Sequence, residues 1–315
     1  MSRNYGLGTR DMASAARIAT DRAVENKELS FASSDAIADR FAQFAAYAKK
    51  NAVGRMERID VDLVLRYGQE LAERVAAGEL SAAYAQNLVS AVNTVMGLVT
   101  KGEWQSVSPT KDCNIQERSA IREKAPGALD RDAYGAAVQA VREELGDRLA
   151  SILELARSLG LRSKEASLID ARSALQEAHE RGAVTVADGT KGGLVRQVPV
   201  TSPGQLETLR RAAEAQSGDK SMIPEWQTWK GWREGELRDA RDLVSSYTGG
   251  GLHDLRAAYA CERYEALTGH AAPCAGGEIA DRNADREARM KIAKELGHGR
   301  IDVVSEYVGG RSCVC

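Results

Sequence analysis

The sequence has few aromatic residues, no long apolar run and no regular cysteine pattern. Aromatic side chains make up 5% of its 315 residues, and charged side chains make up 28%. No apolar run approaches the ~20 residues that a membrane-spanning helix needs. Residues 1–6 also lack the apolar stretch of a secretion signal. We therefore expect a cytoplasmic protein that does not contact membranes.

The cysteines do not pair in the sequence in any recognisable way. There are five of them, and none forms a CxxC motif: Cys113, Cys261, Cys274, Cys313 and Cys315. An odd number at irregular spacing is typical of reduced thiols rather than of a disulfide framework. A zinc site would need four well-spaced ligands, which Cys261, His270 and Cys274 match only loosely. We therefore expect neither a metal site nor another cofactor.

The net charge is close to zero, and helix-forming residues are abundant. The chain has 43 basic and 45 acidic residues, giving a net charge of −2. This balance alone does not support nucleic-acid binding, but it does not exclude it, because an acidic face can offset a basic one. Alanine, leucine, glutamate, arginine and lysine are frequent, so the composition predicts a mainly helical protein.

Breaks in the helical pattern predict two domains. A polar tail at 1–30, with a helix from about Asp11, precedes a helical domain at 31–106. The expected helix N-caps in that domain are Ser33 or Ser34, Asp60 and Ser81. The sequence SVSPTKD at 106–112 and the APG break at 125–127 indicate a linker over 107–127. The second domain is then 128–315.

One segment of the second domain departs from the helical pattern. The β-type runs 183–186 and 194–200 flank the glycine-rich sequence DGTKGG at 188–193, which predicts a hairpin with Lys191 at its tip. A long helix is expected before it, from about Tyr134 to Leu159, with Gly160 as its left-handed C-terminal residue. Residues 171–181 also have a helical pattern. The fold class is therefore mainly α with a small β-hairpin.

Four separated motifs contain chemically versatile side chains. They read GLRSKE at 160–165, KGGLVRQVPV at 191–200, HDLR at 253–256, and LGH at 296–298 followed by Tyr307 nine residues after His298. Each has an ordinary structural explanation when it is taken alone. Arg162 and Glu165 fit a surface ion pair, Lys191 fits a solvated turn, and Tyr307 fits a core residue. Their order and residue types together favour a functional site.

The ordered set resembles the tyrosine recombinases, the phage-integrase family of site-specific DNA recombinases. The four motifs correspond to the family's first arginine box, its lysine hairpin, its HxLR box, and its LGH box with the nucleophilic tyrosine. The resemblance extends over about residues 31–309, because family members have a helical core-binding domain before the catalytic domain. It implies that 31–106 clamps DNA and that 128–315 is catalytic.

The resemblance implies a role for each motif residue in cleaving and rejoining DNA through a 3′-phosphotyrosyl intermediate. Arg162 and Arg256 would bind the non-bridging phosphate oxygens with charge-assisted hydrogen bonds. Glu165 would orient Arg162. The other expected catalytic residues are the nucleophile Tyr307, the proton acceptor or phosphate donor His253, the further oxygen ligand His298, and Lys191, which would protonate the 5′-oxygen leaving group.

The resemblance also implies partners and leaves alternatives open. The partners are double-stranded DNA, a homotetramer on that DNA, and an accessory DNA-bending or directionality protein, for a cytoplasmic, bacterial nucleoid-associated enzyme of a mobile genetic element. One alternative is a catalytically silent DNA-binding accessory or regulatory protein of the same fold. Another is a strand-passage enzyme like the type IB topoisomerases.

Two further features of the second domain are notable. The interval between Arg256 and His298 is longer than is usual in the family, which predicts a loop insertion at 268–277. Tryptophans recur at a spacing of three in Trp226, Trp229 and Trp232, which predicts a stripe on one helix. That stripe fits core packing, with base or sugar contact as the alternative.

Overall fold

The computed structural model describes residues 3–310 and divides the chain between Ser119 and Ala120 into two compact units. Cys313 and Cys315 lie outside the described residues. Within 3–310, none of the helices is both long enough and apolar enough to cross a bilayer. Most of both units is helical, and the described strands form one two-stranded sheet.

The first unit is built from four helices around an apolar core. They are α1 (Met12–Glu25), α2 (Phe31–Lys50), α3 (Val61–Ala76) and α4 (Ala82–Val99). The predicted caps Asp60 and Ser81 are confirmed, since their side chains accept the amide hydrogens of Leu63 and Tyr84. The prediction of Ser33 or Ser34 as a cap is wrong. Ser30 caps α2 one turn earlier, which allows both serines to lie inside the helix.

Segments outside the main helices contribute to the same core. Small buried alanines of α1 pack against α2. Within the stretch 107–119, the side chains of Val107, Cys113 and Ile115 are buried in this core. Gly68 of α3 permits that packing, because a Cβ there would lie 2.2 Å from Cys113 Sγ. The core of the first unit therefore extends from residue 7 to residue 115.

The second unit contains two largely buried helices, and its other helices pack around them. Its helices in chain order are α5 (Arg131–Leu145), α6 (Asp147–Leu159), α7 (Ser163–Leu168), α8 (Ala171–Arg181), α9 (Pro203–Gln216), α10 (Trp229–Glu234), α11 (Glu236–Thr248), α12 (Leu252–Thr268), α13 (Arg282–Glu295) and α14 (Ser305–Val308). Most side chains of α6 and α12 are buried. Because these two helices pack against each other, they bring the end of α6 close to the start of α12.

The predicted hairpin is confirmed, with the first strand at 183–186 as expected and the second shorter than the expected 194–200. Strand β1 (Ala183–Val186) pairs antiparallel with β2 (Arg196–Pro199), and Ala183 lies opposite Pro199. Helix α8 confirms the helical pattern of 171–181. The single helix expected over 134–159 is wrong, because Gly146 at φ 96° separates α5 from α6. This left-handed conformation favours glycine, so the break is encoded locally.

The prediction that the three tryptophans form a stripe on one helix is also wrong. Trp232 is buried in the core and donates its indole N–H to Ser167 Oγ at 3.2 Å. Trp229 is half-buried at the start of α10, where the Lys164 ammonium lies 5.8 Å from its ring centroid. Trp226 lies before α10 and is 79% exposed. The three side chains therefore occupy three different environments.

Candidate active site

The first motif lies at the junction of α6 and α7, where the backbone turns sharply. Gly160 has φ +61°, and a Cβ at this position would lie 2.5 Å from a ring carbon of Tyr259. Glycine is therefore required both for the backbone angle and for the close approach of α12. Arg162 then caps α7, and Glu165 accepts the Arg162 backbone N–H at 2.7 Å. This turn fixes both side chains of the motif.

Glu165 is a fully buried carboxylate surrounded by guanidinium groups. Its Oε1 accepts Arg162 Nη1 at 2.7 Å, and its two oxygens accept Arg196 Nη1 and Nη2 at 2.9 and 2.6 Å. Arg256 Nη1 lies 3.6 Å from Oε2. Burial alone raises the pKa of Glu165, but these arginines and the Arg162 amide lower it to about 2. The carboxylate is therefore ionised and organises three cations.

Arg256 is held rigidly in the interior of the unit. Its side chain is fully buried, and it donates Nη1 to the carbonyl of Gly160 and Nη2 to the carbonyl of Leu296. Its Nε has no acceptor among residues 3–310. Burial lowers the pKa of Arg256 to about 10, so the group stays charged near neutral pH. Of the five N–H donors of a guanidinium, these two carbonyls use two.

Tyr307 and the two histidines form the other half of the cluster. Tyr307 lies in α14, is only 2% exposed, and its ring is 5.6 Å from the Arg256 guanidinium carbon. The hydroxyl of Tyr307 is 3.1 Å from His298 Nε2. The ring centroid of His253 is 5.2 Å from that of Tyr307. Residues from two separate motifs, 253–256 and 296–307, therefore meet around one phenol.

Burial and the surrounding cations lower the pKa of both imidazoles. Desolvation and then the charges of Arg256 and Arg162 lower the pKa of His298 to about 4. Desolvation, Arg256, Arg122 and Arg162 also lower the pKa of His253. A neutral imidazole has one nitrogen that can accept a proton. In the Nδ1–H tautomer, His298 can accept the hydroxyl proton of Tyr307, whereas the sequence interpretation favoured His253 as acceptor.

Lys191 is the one predicted catalytic residue that the structure does not bring to the cluster. It lies on the exposed turn Lys191–Gly193 between β1 and β2, and no described residue bonds to its ammonium group. The base of the hairpin is fixed by the Arg196–Glu165 ion pair. Gly189, with φ +73°, also approaches the backbone of Lys164 closely, because a Cβ at this position would lie 3.0 Å from it. The hairpin is thus anchored at its base and open at its tip.

Sequence reasoning missed the contributions of Arg196 and Arg122. Arg196 also donates Nε to the carbonyl of Glu295 at 2.8 Å. A signal for it existed, because Arg196 alternates with Val198 on the buried face of β2, where a charge is unusual. Arg122 donates its amide to Ser305 O at 2.9 Å and its Nη1 to Asp254 at 3.0 Å. It connects the beginning of α12 to α14, and no local pattern indicates this.

The loosely spaced Cys261, His270 and Cys274 do not form a ligand cluster. Cys261 and Cys274 are in contact, with 3.6 Å between their Sγ atoms, while His270 is exposed. Across residues 3–310, no three His, Cys, Asp or Glu side chains are grouped as a metal would require. The charges that face Tyr307 are instead supplied by guanidinium groups.

Part of the sequence and the fold of the chain are similar to those of known proteins. The family model described as Integrase matches residues 117–262. A structure of the XerH site-specific recombinase bound to palindromic difH substrate is similar with a TM-score of 0.60 and 15% identity, covering 95% of this chain and 81% of XerH. A lambda integrase dimer bound to a COC′ core site gives 0.57 and 15%, covering 95% of this chain and 77% of that chain.

A third structure with a similar fold is that of a transposon integrase. The Tn1549 transposon integrase in complex with transposon right end DNA gives a TM-score of 0.57 and 10% identity, covering 94% of this chain and 95% of that one. No curated protein sequence matches this chain. At these identities the structural likeness establishes the fold. Residues 117–262 thus match the integrase family model, and the chain has the fold of the tyrosine recombinases that its four motifs predicted.

Proposed function

We propose that the chain is a site-specific DNA recombinase that cleaves and rejoins DNA through Tyr307. The observation that carries this proposal is the 3.1 Å contact between the Tyr307 hydroxyl and His298 Nε2, beside the buried guanidinium of Arg256. A phenol is a weak nucleophile at its usual pKa near 10. A neutral base at hydrogen-bond distance and an adjacent cation are what its activation requires.

The reaction follows from the side chains of the cluster. The Tyr307 oxygen attacks phosphorus while His298 accepts its proton, and a 3′-phosphotyrosyl bond forms as the bond to the 5′-oxygen breaks. Arg162 and Arg256 bind the non-bridging oxygens, whose negative charge increases in the transition state. Lys191 donates a proton to the departing 5′-oxygen. The 5′-hydroxyl of another strand reverses these steps, so the energy of the phosphodiester is conserved.

Glu165 and Arg196 support this chemistry by positioning Arg162 and by balancing the charge around it. Glu165 fixes Arg162 through two hydrogen bonds, one from its amide and one from its guanidinium. Arg196 neutralises the same carboxylate, so Arg162 and Arg256 keep net positive charge for the phosphate. Because guanidinium groups supply this charge, cleavage is expected to persist in excess EDTA.

The proposed partners are double-stranded DNA and further copies of this chain. The similar XerH and lambda integrase structures are complexes with DNA, and a lambda integrase tetramer is bound to a Holliday junction. We propose that this chain likewise acts as a tetramer on DNA, with 31–106 in the clamping domain and 128–315 as the catalytic domain. The first part of the predicted linker 107–127 belongs to the clamping domain, because Val107, Cys113 and Ile115 are buried in its core. An accessory DNA-bending or directionality protein and a nucleoid-associated cytoplasmic location complete the proposal.

The decisive experiment traps the covalent intermediate. The protein is mixed with a nicked DNA duplex that carries the end of the mobile genetic element. Cleavage next to the nick releases a short fragment, and because this fragment diffuses away, rejoining is prevented. A protein–DNA adduct that maps to Tyr307 supports the proposal, and Tyr307→Phe is expected to bind the duplex normally without forming it. Tyr247→Phe, at an exposed tyrosine of α11, is the matched control and should form the adduct. An adduct at another tyrosine would contradict the assignment.

The same substrates separate the alternatives. A silent accessory protein would bind the duplex and form no adduct with any tyrosine. A topoisomerase-like enzyme would form the adduct but would relax supercoiled plasmids that lack a recombination site. We expect relaxation to depend on the presence of the cognate site.

A further inference from the structure

Two buried thiols lie against the main chain of Tyr307. The Sγ atoms of Cys261 and Cys274 are 3.6 Å apart, and they lie 3.4 and 3.5 Å from the Tyr307 carbonyl oxygen. Cys261 belongs to α12, whereas Cys274 lies in the single turn Pro273–Ala275 of the loop that follows. Three separate segments of the chain therefore meet at this carbonyl.

The loop at 268–277 packs directly on the residues around Tyr307. Gly309 has φ +94°, and a Cβ there would lie 2.6 Å from the backbone nitrogen of Cys274. Arg122 binds the other end of the segment 305–309, which contains Tyr307. Its amide donates to Ser305 O at 2.9 Å and its Nε donates to Glu306 O at 3.3 Å. A displacement of the Cys274 turn would therefore be transmitted to Tyr307 through close contacts.

The two thiols differ in reactivity. Cys274 is 8% exposed and Cys261 is 2% exposed, so a small oxidant reaches Cys274 first. The hydrogen bond from Cys261 lowers the pKa of Cys274 and, although burial opposes it, the Arg122 charge acts in the same direction. The shared hydrogen bond and burial raise the pKa of Cys261. Cys274 is thus the more readily ionised of the two thiols.

We propose that Cys261 and Cys274 form a reversible disulfide that displaces Tyr307 from its reactive position. The modification depends only on the thiols, whereas its effect on cleavage rests on the proposed function. The oxidant is a hydroperoxide such as hydrogen peroxide.

The chemistry balances in two steps. The Cys274 thiolate attacks one peroxide oxygen, the O–O bond breaks, hydroxide leaves, and a sulfenic acid forms. The Cys261 sulfur then attacks the Cys274 sulfur, the S–O bond breaks, and water leaves with the Cys261 proton. Both sulfurs are oxidised and the peroxide is reduced to water. A dithiol reductant reverses the change by thiol–disulfide exchange.

The geometry predicts the direction of the effect. A disulfide requires an S–S distance of about 2.0 Å, so the sulfurs must approach each other by more than 1 Å from their separation of 3.6 Å. Neither sulfur then has a hydrogen to donate, so the Tyr307 carbonyl loses S–H donation from this pair. A misplacement of about 1 Å at a reacting group can slow a reaction about 100-fold. We therefore expect oxidation to slow cleavage by roughly that factor.

The first test measures the bond without any use of activity. Full-length protein with Cys313→Ser and Cys315→Ser is treated with hydrogen peroxide, the remaining thiols are alkylated, and peptides are identified by mass spectrometry. We expect a peptide joined through Cys261 and Cys274, which either Cys261→Ser or Cys274→Ser abolishes. Cys113→Ser, at the buried thiol of the first unit, is the matched control and should leave the cross-link intact. Absence of the cross-link in the control background overturns the inference.

The second test measures the consequence on the nicked substrate. Oxidised protein should form the Tyr307 adduct about 100-fold more slowly than reduced protein, and dithiothreitol should restore the rate. Cys274→Ala removes one partner and should make the rate insensitive to peroxide. A cross-linked protein that cleaves at the reduced rate overturns the coupling to Tyr307. Failure of the reduced protein to cleave overturns the proposed function instead, while the cross-link result still decides the disulfide.

Discussion

Arg196 and Glu165 form a two-pronged ion pair that is buried from solvent on both sides. Nη1 and Nη2 of the guanidinium lie 2.9 and 2.6 Å from the two carboxylate oxygens. The same carboxylate holds Arg162, so one acidic side chain connects the base of the hairpin to a residue of the cluster. The position of Arg162 therefore depends on a strand that follows it by about thirty residues.

Removal of Arg196 is expected to destabilise the second unit and to weaken cleavage. Arg196→Ala leaves Glu165 buried without its main partner, and breaking a buried pair typically costs about 3–5 kcal/mol. We expect a loss of about 3 kcal/mol in the free energy of unfolding by denaturant titration, since Arg162 still contacts the carboxylate. Cleavage at a temperature where the variant is folded should also decrease.

The matched control is an exposed arginine of the same unit. Arg181 forms an ion pair with Glu177 at the end of α8 and is largely solvent-exposed. Arg181→Ala should change the free energy of unfolding by less than about 1 kcal/mol, because surface pairs contribute little. Equal losses for the two substitutions would contradict the role assigned to the buried pair.

The ionisation of Glu165 gives stability a defined pH dependence. Its pKa is lowered from 4.5 to about 2 in the folded protein. A lowered carboxyl pKa adds stability above the unfolded value, and this contribution is lost as the pH falls through 4.5 toward 2. The difference amounts to about 3 kcal/mol. The free energy of unfolding of the wild type and of Glu165→Gln should be compared from pH 6 to pH 2.5. The difference between the two proteins should decrease as the pH falls, and a constant difference would contradict the prediction.

The parts of the fold that sequence analysis predicted correctly are fixed by local physics. The helix N-caps Asp60 and Ser81 each satisfy a backbone amide three residues away. The left-handed Gly160 ends its own helix, and the β1–β2 hairpin follows from a glycine-rich turn between β-type runs. One error was also local. The apolar stripe over 134–159 is continuous and predicts a single helix, but Gly146 divides it into α5 and α6.

The arrangement of the site needed the structure, because it depends on contacts between distant segments. The motifs predicted Arg162, Arg256, His298 and Tyr307 as site residues, but not which histidine lies at hydrogen-bond distance from the Tyr307 hydroxyl. The charge balance around Glu165 involves Arg196 from a strand, and a charged residue in a β-type run has no periodicity that reveals its partner. The contact between Cys261 and Cys274 is likewise invisible in their spacing of thirteen residues.

His298 is expected to titrate well below the usual range for histidine. Burial and the adjacent guanidiniums lower its pKa to about 4, so the ring is neutral from neutral pH down to about that value. Histidine NMR of DNA-free protein should show one resonance that titrates near pH 4, and His298→Gln should remove it. A resonance lost in this variant that instead titrates near 6.5 would show that the imidazole is not held beside the cations as described. The neutral ring is what allows Nε2 to accept the Tyr307 proton.

Lys191 can be tested as a proton donor by a substrate whose leaving group needs no proton. Its exposed position on the tip of an anchored hairpin gives it reach without a fixed partner. A thiol has a pKa near 8.5, far below that of an alcohol, so a 5′-bridging sulfur leaves as a thiolate. Lys191→Ala should slow cleavage of ordinary DNA by about 10²–10⁴-fold and should cleave the sulfur substrate at nearly the wild-type rate. Arg256→Ala, which removes a proposed phosphate ligand, should be slow on both substrates. If sulfur fails to rescue Lys191→Ala, the lysine does not donate the proton to the leaving oxygen.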